Sequence, residues 1–271
     1  MFKCKAILSL VFLAGAMATA HANYPNAQLQ DFDIDLGPEG GTINMASGQF
    51  TMSTLQMTLP NRNLVIDRHV NTLHYKGPEF EVNWELPLML QDVSSFKIDN
   101  FNYLSQERSF SLTIDKAQWQ QQEGPGELLQ FSLTSIFAAG EVMPADTLES
   151  YLEKSIMSIA HVTVAKGISF PIPGKPKPIE MKTLNAIKGQ FAHHLLTFNA
   201  QIAGLIPINV QFKGLITTLK AQDGIQLDVQ SFVIAGLEMK ALLLAELKKK
   251  ESPQFKVSGS TILWAKTQKQ L

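Results

Sequence analysis

This sequence is poor in cysteine and in long hydrophobic runs. Its 271 residues include a single cysteine, Cys4, which lies ahead of the first apolar stretch. After residue 22 no apolar run is long enough to cross a bilayer as a helix. A mature chain without cysteine excludes disulfides, a thiol nucleophile and a lipid anchor attached to cysteine. Stability must then come from buried apolar surface alone.

The first 22 residues have the pattern of a secretory signal peptide. Lys3 and Lys5 precede an apolar run over residues 6–18, and small residues follow at Ala20 and Ala22. Signal peptidase reads a basic start, a short apolar run and small residues at the −3 and −1 positions. We therefore expect residues 1–22 to be removed, and the mature protein to begin at Asn23 in the periplasm, with secretion into the medium as the alternative.

The charge pattern gives no support for a nucleic-acid partner. Without Lys3 and Lys5, the 23 basic residues fall to 21 against 24 acidic ones, and the formal net charge moves from −1 to −3. The two signs are well mixed along the chain, whereas nucleic-acid binding needs a concentrated basic face.

Catalytic and metal-binding motifs are also missing. His193 and His194 are neighbours and point to opposite faces of a strand, so they cannot hold one ion together. Asp31, Asp33 and Asp35 lack the glycine and the distant glutamate of a calcium-binding EF-hand loop. No Gly-x-Ser-x-Gly elbow or phosphate-binding glycine loop occurs. We expect no enzyme activity, no metal and no cofactor.

Alternating apolar and polar residues dominate what the sequence does contain. Apolar residues occupy every second position from Phe80 to Leu90, from Ile206 to Phe212 and from Ile225 to Val229. A period of two with one apolar face is typical of a half-buried strand. The sequence therefore predicts a mainly β fold made of long, curved antiparallel sheets.

One helix is predicted near residues 147–160, where it would cover an apolar sheet face. Leu148, Leu152, Ile156 and Ile159 recur at helical spacing, and a capping-box pattern precedes them. A proline-rich segment follows at residues 170–178 and favours an extended connector. These features predict a β unit over residues 23–143, a helix with connector over 144–180, and a second β unit over 181–271.

Residues 233–248 are ambiguous between helix and strand. They are rich in Ala, Leu, Glu and Lys, which favour a helix. As a strand, however, they would place Glu238, Lys240, Glu246 and Lys248 on one face and apolar residues on the other. We predict a strand.

A faint internal repeat relates the two predicted β units. Residues 43–50 read INMASGQF and residues 184–191 read LNAIKGQF, and further strands follow each of them. Both a duplication and a chance match are open. If the repeat is real, the chain is two similar curved sheets in tandem.

The layout of residues 148–247 resembles the bacterial periplasmic TULIP-like and AsmA-like lipid-binding proteins. The resemblance rests on the predicted helix, on Phe170-Pro171, on residues 189–191, on residues 206–210 and on residues 223–227. It implies curved antiparallel sheets and a helix around an apolar groove for acyl chains. It also implies lipid binding or shuttling between envelope layers.

The least polar strand faces are the predicted lining of such a groove. These are the alternating apolar residues of two strands, Phe80, Val82, Trp84 and Leu86, and Ile206, Ile208, Val210 and Phe212. The expected partners are a lipid or another apolar ligand and, peripherally, the envelope membranes. The competing hypothesis is a structural or adhesive secreted β-sandwich, in which the same residues are ordinary core.

Overall fold

The strands of this protein form one antiparallel sheet. The computed structural model describes residues 26–52, 55–59, 62–69, 72–77, 81–85, 93–106, 109–122, 124–138, 152–171, 177–219, 224–249, 251–252 and 255–265. Within these ranges the sheet has 17 strands. They are β1 (Asn26–Leu36), β2 (Gly40–Met52), β3 (Leu55–Leu59), β4 (Arg62–His69), β5 (Thr72–Lys76), β6 (Glu81–Glu85), β7 (Val93–Gln106), β8 (Ser109–Gln121), β9 (Gly124–Ile136), β10 (Ser155–Phe170), β11 (Ile179–Ala192), β12 (Leu195–Ile202), β13 (Ile208–Leu219), β14 (Gly224–Ile234), β15 (Leu237–Glu238), β16 (Phe255–Ser258) and β17 (Thr261–Ala265).

Most neighbouring strands in the sheet are also neighbours in sequence. The hydrogen-bonded order is β6, β5, β4, β2, β1, then β7 through β14 in sequence, then β17 and β16. β3 pairs with the second half of β2, and β15 with the last residues of β14. In the described residues no pairing joins β6 to β16, so the sheet is open.

One face of the sheet is apolar and buried, because apolar residues alternate along the strands. In β8, for example, Phe110, Leu112 and Ile114 are buried while the residues between them are half-exposed. The buried faces of β7 through β14, together with β16 and β17, form one hydrophobic cluster. The structure confirms the predicted fold class: mainly β, antiparallel and curved, with a short helix.

The predicted helix near residues 147–160 is wrong over its second half. Leu152 is helical and a turn follows at Glu153 and Lys154, but β10 begins at Ser155 and runs to Phe170. Residues 139–151, with the predicted capping box, lie outside the described ranges. β10 is a strand because Met157, Ile159, Val162 and Val164 line up on the buried face. Branched side chains such as those of Ile and Val also favour a pleated strand.

β10 joins the two predicted β units into one sheet. It pairs with β9 on one side and with β11 on the other, over most of its length. Its residues fall within the predicted helix and connector, 144–180. Hydrogen bonding is therefore continuous from the first predicted unit into the second. The repeated segments lie in β2 and β11, and duplication stays a prediction.

The strand predicted over residues 233–248 is wrong beyond Glu238. β14 ends at Ile234, a turn follows at Ala235 and Gly236, and helix α1 spans Lys240–Lys248. Gly236 has φ +81°, a conformation that glycine adopts without steric cost. α1 buries Leu243, Leu244 and Leu247 and packs on β14 and β16.

Candidate functional site

The predicted lining residues on β13 have three different environments. Val210 and Phe212 are buried, with 1% and 5% of their surface exposed. Ile208 is half-buried and packs against the core. Ile206 precedes the strand and is 80% exposed. The alternation therefore places Val210 and Phe212 on the inner face, and the apolar pattern continues past it into the loop before β13.

The other predicted lining residues belong to a distant part of the sheet. Val82 and Trp84 lie in β6, whereas Phe80 and Leu86 lie outside the described residues. In the hydrogen-bonded order, β5, β4, β2, β1 and β7 through β12 separate β6 from β13. The two predicted halves of the groove are thus not on neighbouring strands.

The apolar face between β10 and β14 curls back on itself. Phe170 at the end of β10 and Phe232 near the end of β14 have ring centroids 5.5 Å apart. These strands are four places apart in the sheet, which would separate them by about 19 Å if the sheet were flat. Both rings are buried. The sheet must therefore curve strongly, with its apolar face on the concave side.

Aromatic stacking between adjacent strands supports the same concave face. Phe198 of β12 pairs directly with Phe212 of β13, and their rings stack 4.9 Å apart at an interplanar angle of 14°. Such a pair contributes stability beyond the area it buries. The predicted site residue Phe212 is therefore held by its neighbour and does not point into open space.

A small cavity lies near the start of β10, at the opposite end of this strand from Phe170. Its volume is about 20 Å³. On the same measure of volume, a cavity needs about 10–15 Å³ to hold one water molecule. This cavity is therefore too small for an acyl chain. Most of the lining is apolar and comes from β9 through β13: Phe131, Leu133, Leu152, Ser155, Met157, Gln190, Phe191, Leu196 and Ile216.

The short segment that leads into β10 lines one side of the cavity. Leu152 is 3% exposed and lines the cavity, and the hydroxyl of Ser155 donates to the carbonyl oxygen of Leu152. Ser135 Oγ on β9 donates to the carbonyl oxygen of Glu153 at 2.8 Å. Two serine hydroxyls thus fix this segment over the end of the apolar interior.

A carboxylate ties the same segment to the hairpin between β11 and β12. The oxygens of Glu153 accept hydrogen bonds from the backbone N–H groups of His193, at 2.7 Å, and His194, at 3.4 Å. Lys154 lies 5.5 Å from the centroid of the Phe137 ring. Two charged residues, Glu153 and Lys154, thus directly follow the cavity-lining Leu152, whereas most of the cavity lining is apolar.

Polar side chains on the outer face of the sheet form hydrogen bonds with one another. His161 Nδ1 lies 2.7 Å from Asn185 Oδ1 on the paired strand, and Thr163 Oγ1 lies 2.8 Å from His161 Nε2. Elsewhere, the hydrogen bond with His74 and the charge of Lys76 lower the pKa of Glu81. Within the described ranges no three His, Cys, Asp or Glu side chains are close enough to hold a metal ion.

The residues that sequence reasoning missed are those on β10 through β12. Met157, Phe191 and Leu196 line the cavity, and their alternation is visible in the sequence. The helix prediction concealed this for β10.

None of the helices in the described part of the chain is long and apolar enough to cross a membrane.

Comparison with known proteins adds no relative. The chain matches no protein-family model, no curated protein sequence and no solved structure, so no relative assigns a role to any of its residues.

Proposed function

We propose that this protein is exported to the periplasm and binds or shuttles lipid, with an acyl chain held inside the curled part of the sheet between β9 and β14. The curl is the observation that supports the proposal. It brings the apolar faces of strands four places apart toward each other and leaves a void at one end, under Leu152. An apolar interior of this kind offers contacts to hydrocarbon and no catalytic group.

The size of the void sets a condition on the proposal. About 20 Å³ does not accommodate an acyl chain, so lining side chains must move for a ligand to enter, and we expect Leu152, in the short segment before β10, to be the one that moves. Each buried methylene of the ligand would contribute about 0.8 kcal/mol. Burial of several methylenes would offset the lost contacts of one leucine side chain, which costs about 2–5 kcal/mol. In the ligand-free protein, Leu152 then occupies part of the site.

A second candidate is a structural or adhesive role without ligand. The small volume of the void favours it, because a filled interior is what a ligand-free β protein requires. The two candidate functions predict different lipid uptake when the interior is enlarged.

The first measurement is native mass spectrometry of the protein purified without detergent, with organic extraction of the same sample. A bound mass that extracts as phospholipid or fatty acid supports the lipid proposal. A ligand-free mass, together with failure to take up added fatty acid, supports the structural role.

A matched pair of variants locates the site. Leu152→Ala enlarges the cavity, whereas Leu112→Ala removes the same side chain from β8, where Leu112 is 1% exposed and does not line it. We expect Leu152→Ala to raise the uptake of palmitate severalfold, and Leu112→Ala to leave uptake at the wild-type level. Adding Leu196→Phe to Leu152→Ala refills the cavity and should restore the wild-type level. Equal uptake by both single variants would place the ligand elsewhere.

A further inference from the structure

The loop between β12 and β13 carries the most exposed large apolar side chains among the described residues. It consists of residues 203–207, which read AGLIP and carry no charge. Leu205 is fully exposed and Ile206 is 80% exposed. They are adjacent in sequence, so together they form an apolar tip, which we define as Leu205 and Ile206.

The loop is anchored at both ends. Ile202 pairs with Ile208 across the two strands, and the Ala203 N–H donates to the carbonyl oxygen of Thr183 at 3.1 Å. Ile202 is 3% exposed and Ile208 packs against the core. The apolar tip is therefore presented by a fixed hairpin, which lowers the entropic cost of binding through it.

The small size of the apolar tip indicates what it contacts. A stable protein interface buries about 800 Å² on each partner, far more than two side chains provide. A membrane surface differs, because apolar side chains can enter its headgroup region individually and each adds its own burial energy. Two adjacent exposed aliphatic residues on a tight loop therefore fit a lipid surface better than a protein partner.

Basic side chains flank the apolar tip. Lys182 is exposed and directly precedes Thr183, to which the loop is hydrogen-bonded. Lys166 is also exposed and lies on the adjacent strand β10, next to Gly167, where an added Cβ would lie 3.1 Å from Lys182 N. Among the described residues neither lysine has an acidic side chain within salt-bridge distance. Glu180 is the exposed acidic residue of the same strand.

We propose that the apolar tip inserts into the surface of a bilayer that contains anionic phospholipid, with Lys166 and Lys182 among the headgroups. Basic residues near such a surface are attracted by its negative potential. Leu205 and Ile206 supply the apolar contribution and the lysines the preference for anionic lipid. This contact is separate from the interior site and does not depend on a ligand being bound there.

The test is co-sedimentation with vesicles, using protein expressed from the complete sequence so that every variant has the same N-terminus. Vesicles of phosphatidylcholine with phosphatidylglycerol are compared with vesicles of phosphatidylcholine alone. We expect Leu205→Ser with Ile206→Ser to weaken binding to the mixed vesicles by at least about tenfold. The matched control is Ile136→Ser with Ile156→Ser, which removes two other exposed residues, 74% and 63% exposed. It should change binding less than twofold.

Two further measurements separate the parts of the proposal. Lys166→Gln with Lys182→Gln should remove the preference for phosphatidylglycerol and leave binding to neutral vesicles unchanged. Leu205→Trp should shift its fluorescence emission to the blue on addition of mixed vesicles, whereas Ile136→Trp should not. Equal binding by the tip and control variants, or no binding of the wild-type protein to either vesicle, would overturn the proposal.

Discussion

The indole ring of Trp119 fills the space that a side chain at position 126 would need. Trp119 on β8 pairs directly with Gly126 on β9, and a Cβ added to Gly126 would overlap Trp119 Cε2. An aromatic ring that covers a glycine on the next strand fixes the register of the pair. We expect Gly126→Ala to lower the free energy of unfolding by about 1–3 kcal/mol, because the ring must move.

Chemical denaturation followed by tryptophan fluorescence measures this effect. Gly37→Ala is the control, because an added Cβ there would meet its nearest atom, Gly40 O, at 3.5 Å, an ordinary contact. It should change stability by less than about 0.5 kcal/mol. A Gly126→Ala protein as stable as the wild type would mean that the indole ring moves at no cost.

The contact between Phe170 and Phe232 predicts energetic coupling across the curl. Each Phe→Ala change should cost about 3–5 kcal/mol, since both rings are buried. Because the rings touch, the double variant should lose about 0.5–1.5 kcal/mol less than the sum of the two single variants. Urea denaturation of the four proteins gives this coupling.

The control cycle combines Phe170→Ala with Leu112→Ala. Leu112 pairs with Leu133, and Leu133 pairs with Met157 near the start of β10, far from Phe170 at its end. These two changes should be additive within about 0.5 kcal/mol. If the phenylalanine pair is equally additive, the two rings do not interact and the curl is looser than described.

His193 and His194, which the sequence analysis places on a strand, instead form the two-residue turn between β11 and β12, and we predict that this turn is strained. His193 and His194 have φ angles of 54° and 62°, in the left-handed region where Asn and Gly are favoured. The double change His193→Asn with His194→Gly should therefore raise the free energy of unfolding by about 1 kcal/mol, measured by urea denaturation. Ala192→Gly changes a residue within the strand of the same hairpin and should lower it by about 0.5–1 kcal/mol. A decrease for both variants would show that the histidine side chains stabilise the turn.

The hydrogen bonds of Glu238 predict that the folded protein loses stability in acid. Burial raises its pKa, but hydrogen bonds from the Phe232 N–H, the Ser231 hydroxyl and the Lys240 N–H, together with the Lys240 charge, outweigh this and lower the pKa. A carboxyl group with a lowered folded pKa stabilises the fold above its unfolded pKa of about 4.3. That contribution disappears as the pH falls through the folded pKa.

The corresponding experiment compares Glu238→Gln with the wild type in urea at several pH values. We expect the wild type to be more stable near pH 7 and the difference to shrink below about pH 4. Glu180→Gln, at an exposed position in β11, serves as the control for a general change in charge. A difference between Glu238→Gln and the wild type that is the same at pH 7 and at acid pH would exclude the carboxylate as its source.

The sequence predicted strands best where one face is buried and the other is not. Val210 and Phe212 are an example, because their alternation with Asn209 and Gln211 has a single good interpretation. The prediction from sequence failed at β10, where Ile156 and Ile159 also fit helical spacing. In the structure Ile159 is buried and Ile156 is 63% exposed. Pairing with strands on both sides decided the outcome, and those partners are invisible in local spacing.

Helix α1 was missed for the opposite reason. Over residues 233–248 apolar and polar residues alternate as in a strand, and the charged residues would lie all round the axis of a helix. A short helix that buries only Leu243, Leu244 and Leu247 leaves its other sides free to carry charge. The turn at Ala235 and Gly236 ends the strand pattern, and helix propensity then determines the rest.

The candidate site could be predicted only in part. Apolar faces are visible in the sequence, but which of them curve toward each other depends on the accumulated bend of several strands. The contact of Phe170 with Phe232 is such a consequence. The cavity is lined by residues from β9 to β13 and by Leu152, which the same bend brings together, so its position could not be derived from the spacing of residues in the sequence.

The order of strands in the sheet affects how the chain can fold as it is made. β7 through β14 pair in the order in which they leave a ribosome or a translocation pore, so each new strand can add to the edge formed by the one before. β1 is an exception, since its second partner is β7 and residues 93–106 must emerge before that edge is covered. Until then the nascent protein presents an unpaired strand edge that a second copy can join. Vectorial synthesis thus leaves this edge of β1 unpaired until β7 has emerged.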